Sequence, residues 1–397
     1  MLKSLIFLTA FSQIFLNRFG IEITSGFSLA PSYLFLYASL AMALHKGFIR
    51  LDPTCCLIFA GIIFSSFTSY LLSAAEVTFT SLILYWFIYL PFTFRTTTPT
   101  CPDVGLYRLY YPLLLFLALA GLGQFLGQFF FSADWLFDYR PLLPESIQNK
   151  NNMNTVISYG SILKSNGFFL LEPSYFSQWM AYSLLLFCIF SSSYLCGLLF
   201  FLGLLASMSG TGLILLGGSF LILARKMNRA RAFLMVAAAV VFVLISFLTG
   251  GSSYLSRISE FSGGAGVRTT SAAARFVNPA IIVSEGLIKS QELLFFGNGP
   301  GAINRMGRDY DSHDPTWAKL LYEYGLIGFL LLLAFIFFST RSEHASSVFT
   351  LPFLLQWLLL GGHLLTLDVV VLYVLYYKFF YTNMFADRGL TLSACRK

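Results

Sequence analysis

Apolar runs long enough to cross a bilayer recur along nearly the whole chain, and a backbone inside hydrocarbon must satisfy its own N–H and C=O groups. Only the α-helix and the closed β-barrel do so. A barrel is written as segments of about ten residues with alternating hydrophobicity. Here the runs are continuous, 57% of the residues are hydrophobic and 11% are charged, whereas a soluble domain carries about a quarter charged residues. The 44 phenylalanines fit helices that face lipid and one another. The expected class is all-α, a polytopic integral membrane protein forming a single membrane-embedded domain over residues 1–397, with both soluble and barrel classes excluded.

About twelve spans follow from the length a bilayer core demands: 4–20, 28–45, 54–73, 77–94, 109–131, 174–192, 194–208, 210–224, 232–249, 317–339, 348–364 and 369–386. The opening Met1-Leu2-Lys3 has no small-residue cleavage site behind its apolar stretch, so the first span reads as an uncleaved helix. Alternation sorts the links into two sides. Lys3, Lys46, Arg50, Arg95, Arg108, Arg225, Lys226, Arg229, Arg231, Arg341, Arg388, Arg396 and Lys397 fall on one side against Asp52, Asp103, Glu343 and Asp387. Acids outnumber bases on the other, fourteen to eleven. The positive-inside rule puts the basic side, and with it both termini, in the cytoplasm. None of the six cysteines (Cys55, Cys56, Cys101, Cys188, Cys196, Cys395) falls in an external link, so no disulfide framework is expected, and no metal-ligand spacing is present.

Two external links are long, 132–173 and 250–316, the second expected to be partly helical. The second carries Arg257, Arg268, Arg275, Arg305, Arg308 and His313. Arg268 and Arg275 are seven apart, so a helix places them on one face. Asn278-Pro279 reads as an N-cap followed by proline at the first helical position. A helix start with guanidiniums beside it attracts phosphate. Gly297-Asn298-Gly299-Pro300-Gly301 is a tight turn without the Lys-Ser/Thr of a nucleotide loop; it reverses the chain and returns Arg305, Arg308 and His313 to the membrane. His313 has the side chain best suited to take a proton near neutrality. In the first link, Glu172-Pro173-Ser174 opens a span, and Glu172 is either a helix-start carboxylate or a second candidate base. Arg140 shares that link and is a candidate phosphate or glycan contact. Ser209-Gly210-Thr211-Gly212 predicts close packing of two spans. Lys378, within the last span, needs a partner or a path to the interface.

At these residues the chain resembles the bacterial O-antigen polymerase and O-antigen ligase superfamily. The likeness rests on Glu172-Pro173-Ser174, on Ser209 to Gly212, on the 297–301 turn, and most specifically on the passage from His313 to Glu323-Tyr324-Gly325-Leu326-Ile327-Gly328. It covers about residues 160–340. Arg275 and Gly286, with ten residues between them, match a spacing associated with the polymerases; Arg140 lacks the counterpart, since Asn151 stands where Gly would be.

The resemblance implies a glycosyltransferase of the bacterial cytoplasmic membrane that takes a polyprenyl-diphosphate-linked oligosaccharide and a glycan acceptor. It implies no cofactor, no metal and no nucleic acid, and a chain-length regulator and a flippase as partners of the same pathway. In that reading Arg268, Arg275, Arg305, Arg308, Arg140 and Arg257 bind diphosphate or glycan, and His313 or Glu172 removes the hydroxyl proton. The Glu-Pro-Ser element and the Arg275–Gly286 spacing favour a polymerase of repeat units. A ligase onto lipid A core or protein, and a lipid-linked glycan flippase, are the alternatives.

Overall fold

The computed structural model describes residues 2–24, 27–73, 77–97, 102–131, 134–149, 155–159, 162–190, 193–223, 233, 273–274, 277–306, 312–340 and 347–366. The chain there is mostly helical, with three two-stranded antiparallel ladders. The helices are α1 (Leu2–Phe15), α2 (Pro31–His45), α3 (Pro53–Leu72), α4 (Phe79–Tyr89), α5 (Pro102–Gly127), α6 (Pro173–Phe190), α7 (Tyr194–Ala206), α8 (Gly210–Leu223), α9 (Asn278–Leu287), α10 (Gln291–Phe296), α11 (Thr316–Thr340) and α12 (Ser347–Leu359). Three of them (α3, the 110–127 part of α5, and α11) are long and apolar enough to cross a membrane by length and composition. Shorter apolar helices lie at Ser4–Phe15, Phe79–Thr93, Tyr194–Ala206 and Gly210–Phe220. The expected spans at 232–249 and 369–386, and Lys378 with the latter, lie outside the described residues.

Helix α3 is packed the way lipid would require. Leu57, Phe64 and Leu71 repeat every seven residues along one exposed strip, while Cys55, Phe59, Ile62, Ser65, Ser66 and Ser69 face inward. A water-facing helix would show the opposite arrangement. Its buried serines are satisfied: Ser66 donates to Ile62 O at 2.7 Å and accepts from Trp86 Nε1 at 2.9 Å. Asp52 caps the helix start, taking the Thr54 and Cys55 N–H groups at 2.9 and 3.2 Å, and Pro53 fills the first position, where its missing N–H costs nothing.

The links pair in the two sets that alternation requires. At one end, the ladder of β1 (Ile49–Leu51) with β2 (Phe94–Thr96) ties the 45–54 link to the one after α4, and Ser339 donates to Phe92 O at 2.9 Å. At the other end, the first long link closes over α1: Asn149 N–H donates to Arg18 O at 2.9 Å and Gly20 N–H to Ile147 O at 3.0 Å. Ser165 N–H donates to Ala206 O at 3.0 Å, Thr78 N–H to Pro300 O at 3.0 Å, and Thr316 N–H to Gly361 O at 3.2 Å. The described residues of both long links therefore gather at one end of the bundle.

The first link is held there by a buried arginine. The Arg18 guanidinium donates to Phe137 O (2.7 Å), Leu170 O (3.0 Å) and Asp138 Oδ1 (3.2 Å), and lies 4.6 Å from the centre of the Tyr139 ring. Asp138 in turn takes Arg140 Nε at 3.0 Å and Nη2 at 2.7 Å, and Thr155 Oγ1 at 2.9 Å. Burial pushes the Asp138 carboxyl up, but the Arg140 and Thr155 hydrogen bonds and the Arg140 charge outweigh it and hold it below the usual aspartate value.

Candidate functional site

Two motifs well separated in the sequence, the glycine turn and the Glu-Tyr-Gly passage, meet backbone to backbone. Helix α11 is broken at Gly325, whose φ of 66° and ψ of −169° belong to glycine alone. The break frees carbonyls that a continuous helix would have consumed. Asn298 N–H donates to Tyr322 O at 2.8 Å, Gly299 N–H to Glu323 O at 2.9 Å, and Ser69 Oγ also reaches Glu323 O at 2.8 Å. The crossing is close enough to exclude side chains. A methyl added at Gly325 would lie 2.6 Å from Phe296 N, and one at Gly297 would lie 2.5 Å from Glu323 O. Ser73 Oγ donates to Asn298 O at 2.5 Å, locking the turn onto the end of α3.

The start of α11 beneath this turn carries an uncommon set of polar groups. Thr316, Lys319 and Glu323 are spaced three and four apart, hence on one face, and all are buried. The Thr316 hydroxyl and both Glu323 oxygens have no aligned hydrogen bond. Lys319 reaches Asn304 Oδ1 at 3.4 Å. Tyr324 and Tyr85 stack beside Glu323 with ring centres 4.6 Å apart, and neither hydroxyl has a partner. Unpaired buried polar groups are costly and concentrate where a fold does chemistry or stores strain. The three non-glycine residues at positive φ among the described residues, Phe168, Met208 and Asp314, all lie in links at this same end.

The candidate residues read from the sequence are distributed around this start. His313 is exposed, with its N–H donated to Ala274 O at 2.8 Å. Asp314 is buried and accepts from Ser312 Oγ at 2.6 Å. Arg305 is exposed at the end of the 3-10 turn Ala302–Arg305. Glu172 is half-buried at the start of α6 and takes the Ser174 hydroxyl at 2.6 Å, as a helix-start carboxylate does. The path from Glu172 to His313 runs through Tyr175, whose ring lies 5.9 Å from that of buried His363, and through Gly362, which packs on the Asp314 and His313 carbonyls. Arg140 is bound to Asp138 and Thr155, with Nη1 on Asn149 O at 3.3 Å, so it serves the closure of the first link. Arg257, Arg268, Arg275 and Arg308 lie outside the described residues.

One expected packing role is met, Gly286 takes a packing role of its own, and one helix start differs. Gly212 lies against the Ser177 backbone, where an added methyl would be 2.6 Å from Ser177 C, and Thr211 Oγ1 sits 3.0 Å from Ser177 Oγ. Gly286, eleven residues beyond Arg275, lies under the Tyr322 ring, where an added methyl would be 2.8 Å from Cδ2 and closer still to Cε2; its small size is a packing requirement between α9 and α11. Asn278 is the first residue of α9 rather than its cap. Val277 is already helical and donates to Ala273 O at 3.0 Å, so the chain turns before it reaches Asn278.

No protein-family model matches this chain, and no curated protein matches it. Glu323 and Tyr324 enter the sequence reading only as part of the Glu-Tyr-Gly passage, and neither they nor Lys319 and Tyr85 are among the expected site residues. The available signal was Lys319 and Glu323, two charges one helical turn apart at the head of an otherwise apolar run.

Proposed function

We propose that this chain is a membrane-embedded glycosyltransferase that polymerises polyprenyl-diphosphate-linked oligosaccharide repeat units into O-antigen, capsular or exopolysaccharide at the periplasmic face of a bacterial inner membrane. The observation that supports this most is the gathering of the described ends of both long polar links at one end of an apolar helical bundle, the second of them packed over a buried charged helix start, Thr316 to Glu323. Both links and a lipid headgroup then share one level, where ATP and nucleotide sugars are absent and lipid diphosphates are exposed.

The chemistry follows from the groups at that end. An acceptor hydroxyl attacks the anomeric carbon, the bond from that carbon to the diphosphate oxygen breaks, and the diphosphate leaves with the electron pair. Arg305, with Arg257, Arg268, Arg275 and Arg308, offsets the growing negative charge. His313, exposed just before α11, takes the hydroxyl proton, with Glu172, just before α6, as the second proton acceptor. Arg140 contributes by shaping the first link. Transfer to lipid A core or to protein would use the same groups with a different acceptor.

A lipid-linked glycan flippase is the second reading, and the broken helix favours it. Discontinuous spans with buried ionisable groups, as at Gly325 beside Glu323 and Lys319, are common in transporters. Deleting the gene and resolving surface polysaccharide by gel separates these readings. Polymerase loss leaves single repeat units on the cell, ligase loss leaves long chains unattached to lipid A, and flippase loss traps repeat units on the cytoplasmic leaflet. In the polymerase case, His313→Ala and Glu172→Gln should each lower polymer formation by about a hundredfold or more. Wild-type polymer from both variants would remove the assigned bases.

A further inference from the structure

The glycine turn that locks onto α11 sits deeper than a link outside the membrane should. Helix α3 runs for 20 residues, about 30 Å at 1.5 Å per residue, which is the hydrocarbon thickness of a bilayer. Its polar start, where Asp52 pairs with Arg95 at 3.3 Å, marks one edge of that core, so Leu72 reaches the far edge. Ser69, which donates to Glu323 O at 2.8 Å, is then about one helical turn short of the far edge. Helix α11 returns the same depth when measured from its own last residue. Thr340 lies at the first edge, next to Ser339, which donates to Phe92 O. From Thr340 back to Gly325 the helix spans about 23 Å, leaving about 7 Å to the far edge. Tilt shortens the climb of both helices and lowers the turn further. Phe295 and Phe296 pack their backbone on Gly325 at that depth.

Non-helical backbone inside hydrocarbon has to find its partners in the protein. Here it does. Gly297 N–H donates to Leu293 O at 2.8 Å, and the Asn298 and Gly299 N–H groups go to α11 carbonyls. Pro300 has no N–H. The Asn298 and Pro300 carbonyls take Ser73 Oγ and Thr78 N–H. Helix α10 also changes character along its length. Lys289 to Glu292, at its entrance, are exposed and polar, whereas Leu294 and Phe295 are apolar and still 40% and 44% exposed. At the same level, the exposed strip of α3 ends in Leu71 and Leu72. The apolar surface of α10 therefore continues a face that already meets lipid.

We propose that residues 290–301 form a re-entrant hairpin that dips into the bilayer between α3 and α11, with Leu294 and Phe295 facing the acyl chains of the leaflet on the side of the two long links. The Ala302–Arg305 turn, about 8 Å long, is enough to bring exposed Arg305 back to the headgroups. The hairpin suits a polymerase and a flippase alike, so it does not rest on the glycosyltransferase reading.

The experiment uses the full-length protein in proteoliposomes, with its six native cysteines replaced. Phe295→Cys and Lys289→Cys lie on the same link, so reagent reaches both from the same side whichever way the protein inserts. Labelling by a membrane-impermeant maleimide should be several-fold slower at Phe295→Cys. A fluorophore attached at Phe295→Cys should be quenched more by nitroxides on the upper acyl chain than by nitroxides on the headgroup. One at Lys289→Cys should show the reverse. Leu294→Cys carries the same test if Phe295→Cys gives no folded protein. Equal labelling at the two positions, or quenching at Phe295→Cys that is strongest from the headgroup, overturns the hairpin. Slow labelling without acyl-chain quenching also overturns it, and a disulfide-linked dimer of Phe295→Cys would then assign this face to a second copy of the chain.

Discussion

Replacing Gly325 by alanine should be among the most damaging single-methyl changes in this protein, and the structure supplies the magnitude. The backbone at Gly325 has φ 66° and ψ −169°, a region essentially reserved for glycine, so any other residue pays about 1–3 kcal/mol of strain there. The added methyl would also meet Phe296 N at 2.6 Å and approach the Phe295 carbonyl group more closely still. These are backbone atoms held by the Asn298 and Gly299 hydrogen bonds to α11, so they cannot swing aside. Overpacking of that kind adds about 1–3 kcal/mol. The sum, about 2–6 kcal/mol, is a large part of the 5–15 kcal/mol that typically separates folded from unfolded protein. Gly123→Ala is the control, because nothing lies within 4 Å of the new methyl and the residue sits inside α5. There alanine should stabilise by about 0.5–1 kcal/mol. The assay is the thermal midpoint of detergent-solubilised protein followed by size-exclusion fluorescence, with yield as a second reading. Gly325→Ala at or above the wild-type midpoint would refute the interlock of the turn with α11.

The Arg18–Asp138 clasp gives an ordering that simple pair-counting would miss. Asp138→Ala leaves the Arg18 guanidinium buried without its counterion and should cost about 3–5 kcal/mol; Arg18→Met leaves Asp138 paired with Arg140 and should cost clearly less. A thermal midpoint lower for Arg18→Met than for Asp138→Ala would contradict the burial argument. The same carboxylate sets an acid dependence. Because the folded-state value for Asp138 is depressed, its contribution is complete above the ordinary aspartate value and is lost as pH falls through the lowered folded value. The thermal midpoint should therefore drop on acidification below about pH 4, and Asp138→Asn should flatten that limb. An unchanged acid limb in Asp138→Asn would assign it to other groups.

Much of the bundle was legible in the residues because length and capping leave little freedom. The expected spans at 54–73 and 317–339 correspond to α3 and α11, Pro173 opens α6 as its Glu-Pro-Ser start predicted, and Gly210 opens α8 within the element that predicted close packing. Among the described links, those at 45–54 and after α4 pair with each other, as alternation requires of any bundle. The helix break at Gly325 was not legible. Glycine is frequent in apolar helices, and the cause of the break is a crossing by residues 295–299, far away in sequence. Glu323 and Lys319 look like an ordinary exposed pair at i and i+4; only the turn packed over them makes them buried. Arg140 looked available for substrate, yet Asp138, two residues before it, folds back onto its guanidinium. That local pairing was readable from the spacing. The tie to Arg18, across the bundle, was not.

The most direct test of the central claim is transfer itself: purified full-length protein in proteoliposomes, supplied with polyprenyl-diphosphate-linked repeat units on the face bearing both long links, and products resolved by gel. The account predicts a ladder of lengthened lipid-linked chains, formed without nucleotide sugar or ATP and lost with His313→Ala. Repeat units that cross the bilayer without lengthening, or remain unchanged, would contradict it.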